Sequence, residues 1–329
     1  MKEDRLNILV IGLGSMGKRR IRLLSERPNV TIYGVDSNPE RCKEVYETLH
    51  VQCYESINAA IASHPIHAAM VCTSPISHAN IIHECLQRKL HVFTELNLVQ
   101  DRYDENVELA KENGCVLFLS STFLYRKEPE YIIDVVRQTE GKLNYNYHIG
   151  QFLPDWHPWE SYNNYFIGNP RTNGCREILA IELPWLVTCF GEVKSVQVAK
   201  SRNTTLNILY DDNYQMLIEH ANGTKGTLSV DVVARKAVRR FEVYGENLYL
   251  TWDGKPNTVN HYDIENKTDR FVDFEDASEH RDGYADFVTE NPYREEIAAF
   301  LNEMQGVHSG KWDFRKDMKV LSLIDQIEA

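Results

Sequence analysis

Residues 7–20 have the sequence NILVIGLGSMGKRR, in which the apolar run Ile8–Ile11 leads directly into three spaced glycines and then into a basic segment. The short β-branched run predicts a buried parallel strand, and the residues after Gly17 predict a helix. A strand, the pattern G-x-G-x-x-G and a helix, in that order, predict a loop that binds the pyrophosphate of a dinucleotide. The alternative is a glycine-rich turn in another kind of α/β protein.

Each glycine of this loop has a separate expected role. We expect Gly12 to permit the tight turn, Gly14 to let the phosphates approach the backbone, and Gly17 to let the helix pack on the strand. The phosphates would then lie at the amides of the helix N-terminus, where the chain has Ser15 and Met16.

The next predicted strand, Thr31–Val35, ends at Asp36. An acidic residue about 20 positions beyond the glycines binds the adenosine ribose diol in dinucleotide-binding folds. Because a carboxylate would repel a 2′-phosphate, we expect NAD as cofactor rather than NADP, although Arg41 could reach such a phosphate. The alternative role for Asp36 is that of a turn residue before the helix that begins near Pro39.

Composition excludes several classes of protein. The net charge of −12 argues against non-specific binding to nucleic acid or to an acidic membrane surface. No apolar run reaches about 18 residues, and the first apolar stretch is a strand broken by glycines, so we expect neither a membrane span nor a signal peptide and a cytoplasmic location. The seven dispersed cysteines contain no C-x-x-C and predict reduced thiols; we expect no metal site.

The chain predicts two domains. Up to residue 122, strands alternate with helices, as in a parallel, doubly wound Rossmann domain. Residues 123–329 predict an α+β domain with an open, mostly antiparallel sheet that binds substrate and forms an oligomer, with the last helix able to pack back on the first domain. Between a predicted strand and a helix in this second part lies an aromatic loop, Phe152–Gly174, which contains Trp156, Trp159, Tyr162 and Tyr165.

The residues of the first domain resemble the Gfo/Idh/MocA family, which includes glucose–fructose oxidoreductase and inositol dehydrogenase. The resemblance is carried by the glycine motif, Asp36, Thr73-Ser74-Pro75-x-x-His78 and the strand that ends at Glu95. It implies an NAD-dependent oxidoreductase that acts on a sugar, sugar nucleotide or polyol. It also implies that Thr73, Ser74, Pro75, His78 and Glu95 line the nicotinamide side of the cofactor.

The same resemblance, together with the open sheet, implies a homodimer or homotetramer. A sheet covered by helices on one face needs cover on the other. We expect the apolar residues of the alternating stretch Leu228–Val232 to serve that purpose.

Two departures from the family affect the expected chemistry. The family usually has Glu-Lys-Pro where this chain has Glu95-Leu96-Asn97, and its lysine lies beside the reacting carbinol. The family also carries an acid followed about four residues later by a histidine, whereas residues 175–184 contain no histidine. Because alcohol oxidation needs a group that accepts the hydroxyl proton, another side chain must serve, or the reaction is lost.

The candidates for this role lie in the aromatic loop and in the helix that follows it. We expect His157 or Glu177 to transfer the proton, because the imidazole has a suitable pKa and Glu177 falls near the family's first acid. Arg176 would anchor a carboxylate or phosphate of the substrate through its planar guanidinium. The alternatives are a loop that only packs on the domain and a charged pair exposed on a helix.

Two other functions remain open on the same fold. One is an NAD-assisted lyase or glycosidase, which would form product without net NADH. The other is a catalytically inactive sensor or assembly protein that binds the dinucleotide only. The fold by itself does not distinguish these functions.

Overall fold

A computed structural model describes residues 5–157, 160–274 and 289–329 of the chain. The chain divides into two compact units. The first comprises Met1–Ser121 and Tyr293–Met318, and the second comprises Thr122–Pro292 and Lys319–Ala329. No helix in the described ranges is long and apolar enough to cross a membrane.

The first unit contains a six-stranded sheet in which every pair of neighbouring strands is parallel. The strands are β1 (Leu6–Ile11), β2 (Val30–Val35), β3 (Gln52–Tyr54), β4 (Ala68–Val71), β5 (His91–Thr94) and β6 (Leu117–Leu119), in the order β3-β2-β1-β4-β5-β6. The helices between them are α1 (Ser15–Ser25), α2 (Pro39–Leu49), α3 (Ile57–Ser63), α4 (Pro75–Gln87) and α5 (Tyr103–Asn113). The predicted doubly wound Rossmann fold is confirmed.

The central strands of this sheet are buried on both faces. Ile8, Leu9 and Val10 of β1 have no exposed surface, and neither do any of the four residues of β4. Continuous apolar runs are expected where helices cover both faces of a parallel sheet. The order of the strands reverses between β1 and β4, which is where open α/β sheets bind ligands, at the carboxyl ends of the strands.

A buried ion-pair cluster lies beside this sheet. The guanidinium of Arg20, on α1, has no exposed surface; it contacts Glu95 (Nε–Oε1 2.6 Å) and Glu296 (Nη2–Oε2 2.7 Å). Its carbon Cζ lies 4.5 Å from the centroid of the Phe93 ring. Burial opposes the positive charge, but the two carboxylates outweigh that effect and raise the pKa of Arg20. Arg20 therefore stays charged and joins α1 to the end of β5 and to a carboxyl-terminal helix.

The second unit contains a seven-stranded mixed sheet, which confirms the predicted α+β fold. Its strands are β7 (Asn144–Gly150), β8 (Val193–Ser201), β9 (Asn213–His220), β10 (Lys225–Asp231), β11 (Val238–Gly245), β12 (Leu248–Trp252) and β13 (Asn260–His261). The order is β13-β12-β11-β7-β10-β9-β8, and the single parallel pair among these strands is β7 with β10. The remaining helices are α6 (Lys127–Gln138), α7 (Gly174–Phe190), α8 (Asn291–Met304) and α9 (Phe314–Glu328).

The apolar residues of β10 do not cover an open face of this sheet, so that expectation is wrong. Leu228, Val230 and Val232 have no exposed surface, and β10 packs on α7. The alternate residues point the other way and are polar: Thr227 donates a hydrogen bond to Asn146 (2.6 Å), and Ser229 donates one to Gln215 (2.5 Å). The alternation had marked the buried face, and the homo-oligomer stays a prediction without that support.

The sequence predicts a helix over Glu177–Phe190, and in the structure this helix, α7, begins three residues earlier, at Gly174. The side chain of Asn173 accepts a hydrogen bond from the Arg176 amide (2.8 Å) and so caps the helix before Gly174. The helix continues through Pro184 to Phe190. In its first two turns most residues are buried, and the two partly exposed residues, Glu177 and Ile181, lie one turn apart on the same face.

We predict that Arg20→Met lowers the free energy of unfolding by about 3–5 kcal/mol, because it leaves two buried carboxylates without their cation. Lys18→Met is the matched control on the same helix. Its ammonium also lies 2.6 Å from a carboxylate, that of Glu44, but the two side chains are 33% and 50% exposed. The control should cost less than about 1 kcal/mol. Urea unfolding of both variants measures the difference, and equal losses would contradict the prediction.

Candidate functional site

The three glycines of the β1–α1 loop fit a bound pyrophosphate. Gly12 has a φ of +91°, and a Cβ there would lie 2.8 Å from the Cys72 carbonyl group. A Cβ on Gly17 would lie 1.9 Å from the Gly12 oxygen, so only glycine allows helix and strand to pack this closely. A Cβ on Gly14 would meet no atom of the described residues within 4 Å. The loop is thus tight on its protein side and open at Gly14, as a ligand requires.

The first turn of α1 has the electrostatics of an anion site. The helix begins at Ser15 and Met16 after Gly14, and no side chain of the described residues caps it. Its first turn contains no acidic residue. The positive end of the helix dipole is therefore not neutralised by a carboxylate, which favours a phosphate group there. This geometry supports the predicted roles of Ser15 and Met16.

Asp36 holds the loop and the end of β2 together. Its Oδ2 accepts a hydrogen bond from the Leu13 amide (2.7 Å), and its Oδ1 accepts one from the Asn38 amide (2.8 Å). The carboxylate is largely buried, with Arg41 Nη1 3.6 Å from Oδ2. Each carboxylate oxygen has a second lone pair, so ribose hydroxyls can still donate to Asp36. The turn role and the ribose role, which the sequence presented as alternatives, are compatible.

The segment after β4 holds a buried histidine. Ser74 precedes α4, Pro75 occupies the first turn, and the Ser77 hydroxyl donates to Thr73 Oγ1 (2.9 Å). His78 Nε2 lies 2.9 Å from the Thr73 carbonyl oxygen, and its Nδ1 lies 2.7 Å from Asn97 Oδ1. Burial lowers the pKa of His78, so the ring is neutral at neutral pH. A neutral ring has one N–H and can donate to only one of these two oxygens. Because the ring is buried, it is suited to shaping the loop rather than to exchanging protons with solvent.

Asn97 is a site-forming residue whose role the sequence did not indicate. It stands where the resembling family has proline, and proline has no side-chain amide that could hold a histidine. Its own Nδ2 is buried, and a hydrogen bond from the Asn97 side chain opposes the rise that burial causes in the pKa of Tyr103. The sequence signal for Asn97 is the same departure from Glu-Lys-Pro that replaces the lysine with Leu96, because it also places an amide where the family has proline.

Glu95 is oriented by Arg20. Both of its oxygens contact the guanidinium, at 2.6 Å from Nε and 3.2 Å from Nη2. Its side chain is 12% exposed. The predicted place of Glu95 at the nicotinamide side stays a prediction, and the carboxylate would serve that place as one half of an ion pair.

In the second unit, Glu177 is the candidate with the most suitable protonation behaviour. Its side chain is partly exposed on a helix that is otherwise buried here. Burial raises the pKa of its carboxyl to about 7. A carboxyl with this pKa is divided between acid and base at neutral pH, which is what general acid–base catalysis requires. Ile181, one turn later, presents an aliphatic side chain on the same face.

Arg176 is engaged in ion pairs within the second unit. Its guanidinium is buried and contacts Asp325 (Nη2–Oδ1 2.7 Å) and Glu328 of α9. These ion pairs hold α9 against the start of α7. The predicted role of Arg176 as a substrate anchor stays a prediction, and it would require at least one of the two pairs to open.

His157 lies in the aromatic loop and stacks on a tyrosine. Its ring lies 4.7 Å from the ring of Tyr165, at an interplanar angle of 11°. Burial lowers the pKa of His157, with a smaller opposing effect from Glu160. The same loop packs on the start of α7, since a Cβ on Gly174 would lie 3.4 Å from the Trp156 ring. Trp159, which the sequence placed in this loop, lies outside the described residues.

Comparisons with known proteins identify the family of the chain. Residues 6–121 match the model of an oxidoreductase family with an NAD-binding Rossmann fold, GFO/IDH/MocA. Residues 177–251 match the GFO/IDH/MocA C-terminal domain. The chain belongs to the GFO/IDH/MocA oxidoreductase family, and its first unit is an NAD-binding Rossmann domain, which confirms the resemblance and the expected cofactor class.

One curated protein and two solved structures illustrate what the chain is similar to. It is 30% identical to myo-inositol 2-dehydrogenase of Thermotoga maritima over 117 residues, 34% of this chain and 35% of that protein, so the match spans about a third of the curated relative. UDP-N-acetylglucosamine 3-dehydrogenase GnnA from Acidithiobacillus ferrooxidans superposes with a TM-score of 0.77, at 18% identity, over 98% of this chain and 97% of that one. An oxidoreductase from Agrobacterium radiobacter, solved with NAD+, L-tartaric acid and magnesium, gives 0.77 at 14% identity, over 98% and 94%. These structural likenesses show the fold.

We predict that NADH binds at least tenfold more tightly than NADPH, since burying the Asp36 carboxylate against a 2′-phosphate costs about 1–3 kcal/mol. Titrations of the purified protein with both nucleotides, followed by nucleotide fluorescence, measure the ratio. Arg41→Ala should leave NADH affinity unchanged and weaken NADPH further, because it removes the cation beside Asp36. Equal affinities in the unmodified protein would contradict the assignment.

Proposed function

We propose that this protein is an NAD-dependent oxidoreductase that oxidises a hydroxyl group of a sugar, sugar nucleotide or polyol, with Glu177 as the proton-transfer group. The observation that carries the proposal is the Glu177 carboxyl, partly exposed on α7 and with its pKa raised by burial to about 7. It falls close to the position where the family has its first acid. The names of two relatives, which give inositol and UDP-N-acetylglucosamine as substrates, support the substrate class.

The reaction removes two hydrogens from the alcohol, one as a hydride from carbon and one as a proton from the hydroxyl, and each needs its own acceptor. The glycine loop and Asp36 would hold NAD+, which would supply the acceptor for the hydride lost by the carbon that bears the hydroxyl. The hydroxyl proton goes to the ionised Glu177 carboxylate, so the alcohol becomes a carbonyl and the carboxylate becomes a carboxylic acid. In the reverse direction the protonated carboxyl returns the proton to the carbonyl oxygen. A pKa near neutrality lets one residue serve both directions.

The residues at the family's lysine and histidine positions do not compete for this role. Leu96 and Ile181 have aliphatic side chains, which can neither accept a proton nor donate one. Arg176 is held by two carboxylates of α9. His157 has an imidazole, but its ring stacks on Tyr165 and its pKa is lowered. We infer that His157 supports the loop and that Glu177 exchanges the proton.

The aromatic loop has the composition of a sugar site. Trp156 donates a hydrogen bond to the Gln151 carbonyl (3.0 Å), which orients its ring, and Arg235 lies 4.1 Å above the ring of Phe152. Ligand sites combine such apolar rings with a few placed polar groups. Sugars and polyols present both apolar faces and hydroxyl groups, and this pairing favours them as substrates.

We predict that Glu177→Gln lowers turnover by about 100-fold or more while NADH affinity is unchanged. The rate of alcohol oxidation by the unmodified protein should rise with pH through the pKa of Glu177, because the ionised form is the base, and this limb should disappear in the variant. His157→Ala should have a smaller effect. The exposed Glu140→Gln is the control for loss of a carboxylate in the same unit.

The measurement is NADH formation with a panel of inositols, polyols and UDP-sugars. Turnover unchanged in E177Q would overturn the assignment of Glu177. Product formation without net NADH would instead indicate an NAD-assisted lyase or glycosidase, and cofactor binding without any product would indicate a sensor.

We predict separately that Leu96→Lys alone does not increase turnover. The family's lysine acts with a histidine, and this chain has aliphatic Ile181 about where that histidine stands. The same substrate panel and a nucleotide titration of the variant measure the effect. An increase of about tenfold or more would show that a lysine suffices and would contradict this account.

A further inference from the structure

His78 is a buried histidine with an oxygen opposite each of its two ring nitrogens. The residue is 1% exposed. Its Nε2 lies 2.9 Å from the carbonyl oxygen of Thr73, and its Nδ1 lies 2.7 Å from Oδ1 of Asn97. A backbone carbonyl oxygen only accepts hydrogen bonds, so the contact with Thr73 requires a proton on Nε2. Whether Nδ1 also carries a proton depends on which atom Asn97 presents to it.

A neutral ring with its proton on Nε2 turns the lone pair of Nδ1 towards Asn97. Burial has the largest effect on the pKa of His78 and lowers it, although two hydrogen bonds and the charge of Glu95 act in the opposite direction. Glu95 is itself paired with Arg20 at 2.6 Å. In the neutral state Nδ1 and Oδ1 of Asn97 are therefore two acceptors without a donor between them, which is unfavourable in the interior.

Asn97 carries the donor that the neutral ring needs. Rotation of its amide by about 180° exchanges Oδ1 with Nδ2 at almost unchanged shape and places an N–H on the lone pair of Nδ1. The Thr94 hydroxyl is also near Nδ1, but it lies at 3.3 Å and donates to the Glu95 carbonyl oxygen (3.1 Å). In the doubly protonated ring both nitrogens donate, and Oδ1 is then the suitable atom opposite Nδ1.

The other contact of the Asn97 amide does not hold it in one orientation. Nδ2 is buried and makes only a long or poorly aligned hydrogen bond, to Tyr103. The Tyr103 hydroxyl donates to the buried carboxylate of Asp317 (2.6 Å), which also accepts from Trp312 Nε1 (3.0 Å). Rotation of the amide exchanges this weak hydrogen bond for one at the 2.7 Å contact with His78. A neutral ring therefore favours the rotated amide, and a charged ring favours the observed one.

His78 connects the ends of two neighbouring strands. Thr73 follows β4, Asn97 follows β5, and these strands pair in parallel. We propose that Asn97 is a positioning residue whose amide rotates with the protonation of His78, so that Nε2–H donates to the Thr73 carbonyl oxygen in both states and keeps residues 73–75 in place. Proline, the family's residue at this position, has no amide that could do so. The effect on cofactor binding rests on the proposed NAD site, whereas the orientation of the amide does not.

The test is NMR of the full-length protein with isotope-labelled histidine and asparagine nitrogens. We expect the neutral ring of His78 to carry its proton on Nε2 and to show a nitrogen–nitrogen coupling between Nδ1 and Nδ2 of Asn97 across the hydrogen bond. As the pH falls through the pKa of His78, the coupling should disappear and both nitrogens should be protonated. His78→Gln identifies the signals, and Thr94→Val, which removes the nearby hydroxyl, should leave the coupling unchanged. A neutral ring with its proton on Nδ1, or without the coupling, overturns the inference.

Two substitutions separate positioning from packing. Asn97→Asp keeps the shape but only accepts hydrogen bonds, so His78 should be doubly protonated at neutral pH, with its pKa raised by about one unit or more. Asn97→Leu fills the same space without donor or acceptor, and NADH affinity should fall about three- to tenfold, with a smaller loss in N97D. Unchanged NADH affinity in N97L would overturn the positioning role, and if N97L does not fold, the ring protonation in N97D decides. None of these measurements needs substrate, so the activity of E177Q tests the proposed function separately.

Discussion

A single buried cation organises the first unit. Arg20 extends from the helix that follows the glycine loop and contacts Glu95, at the end of β5, and Glu296, in α8. Desolvating three charged groups is unfavourable. The charge-assisted hydrogen bonds from the guanidinium to both carboxylates offset that free energy. Glu296 also accepts hydrogen bonds from the Ser120 hydroxyl (2.9 Å) and the Ser121 amide (2.8 Å), just beyond β6. The ends of β5 and β6 are thus held by one electrostatic centre, and the orientation of Glu95 is a consequence of it.

The glycine loop beside Arg20 could be predicted from the sequence, but the ion pairs of Arg20 could not. The glycine loop, the parallel sheet and Asp36 were predictable because each depends on a local pattern: residue spacing, apolar runs and an acid at a strand end. The partners of Arg20 lie 75 and 276 positions away, and nothing local separates Arg20 from its basic neighbours Lys18 and Arg19. In the second unit the period-two pattern predicted the strands correctly, but it did not show which face was buried. Asn173 was missed as the helix cap because the apolar pattern begins after it.

The residues of the candidate site were likewise predictable only in part. The missing lysine and histidine were visible in the sequence, and they limited the search to the aromatic loop and the start of α7. Among the three candidates there, burial separated their roles: Arg176 is paired within the fold, His157 is stacked, and Glu177 has a raised pKa.

The hydrogen bonds of Asp36 constrain how this lineage could change its cofactor. The same carboxylate that disfavours a 2′-phosphate also accepts the Leu13 amide inside the glycine loop. A basic or aliphatic residue at this position would relieve the repulsion, but it would leave that buried amide without an acceptor and loosen the phosphate loop. A change of nucleotide preference through such a residue therefore needs a second substitution that supplies a new acceptor for Leu13, whereas a neutral residue with a side-chain oxygen could keep the hydrogen bond. The nucleotide selectivity and the order of the glycine loop therefore depend on the same carboxylate.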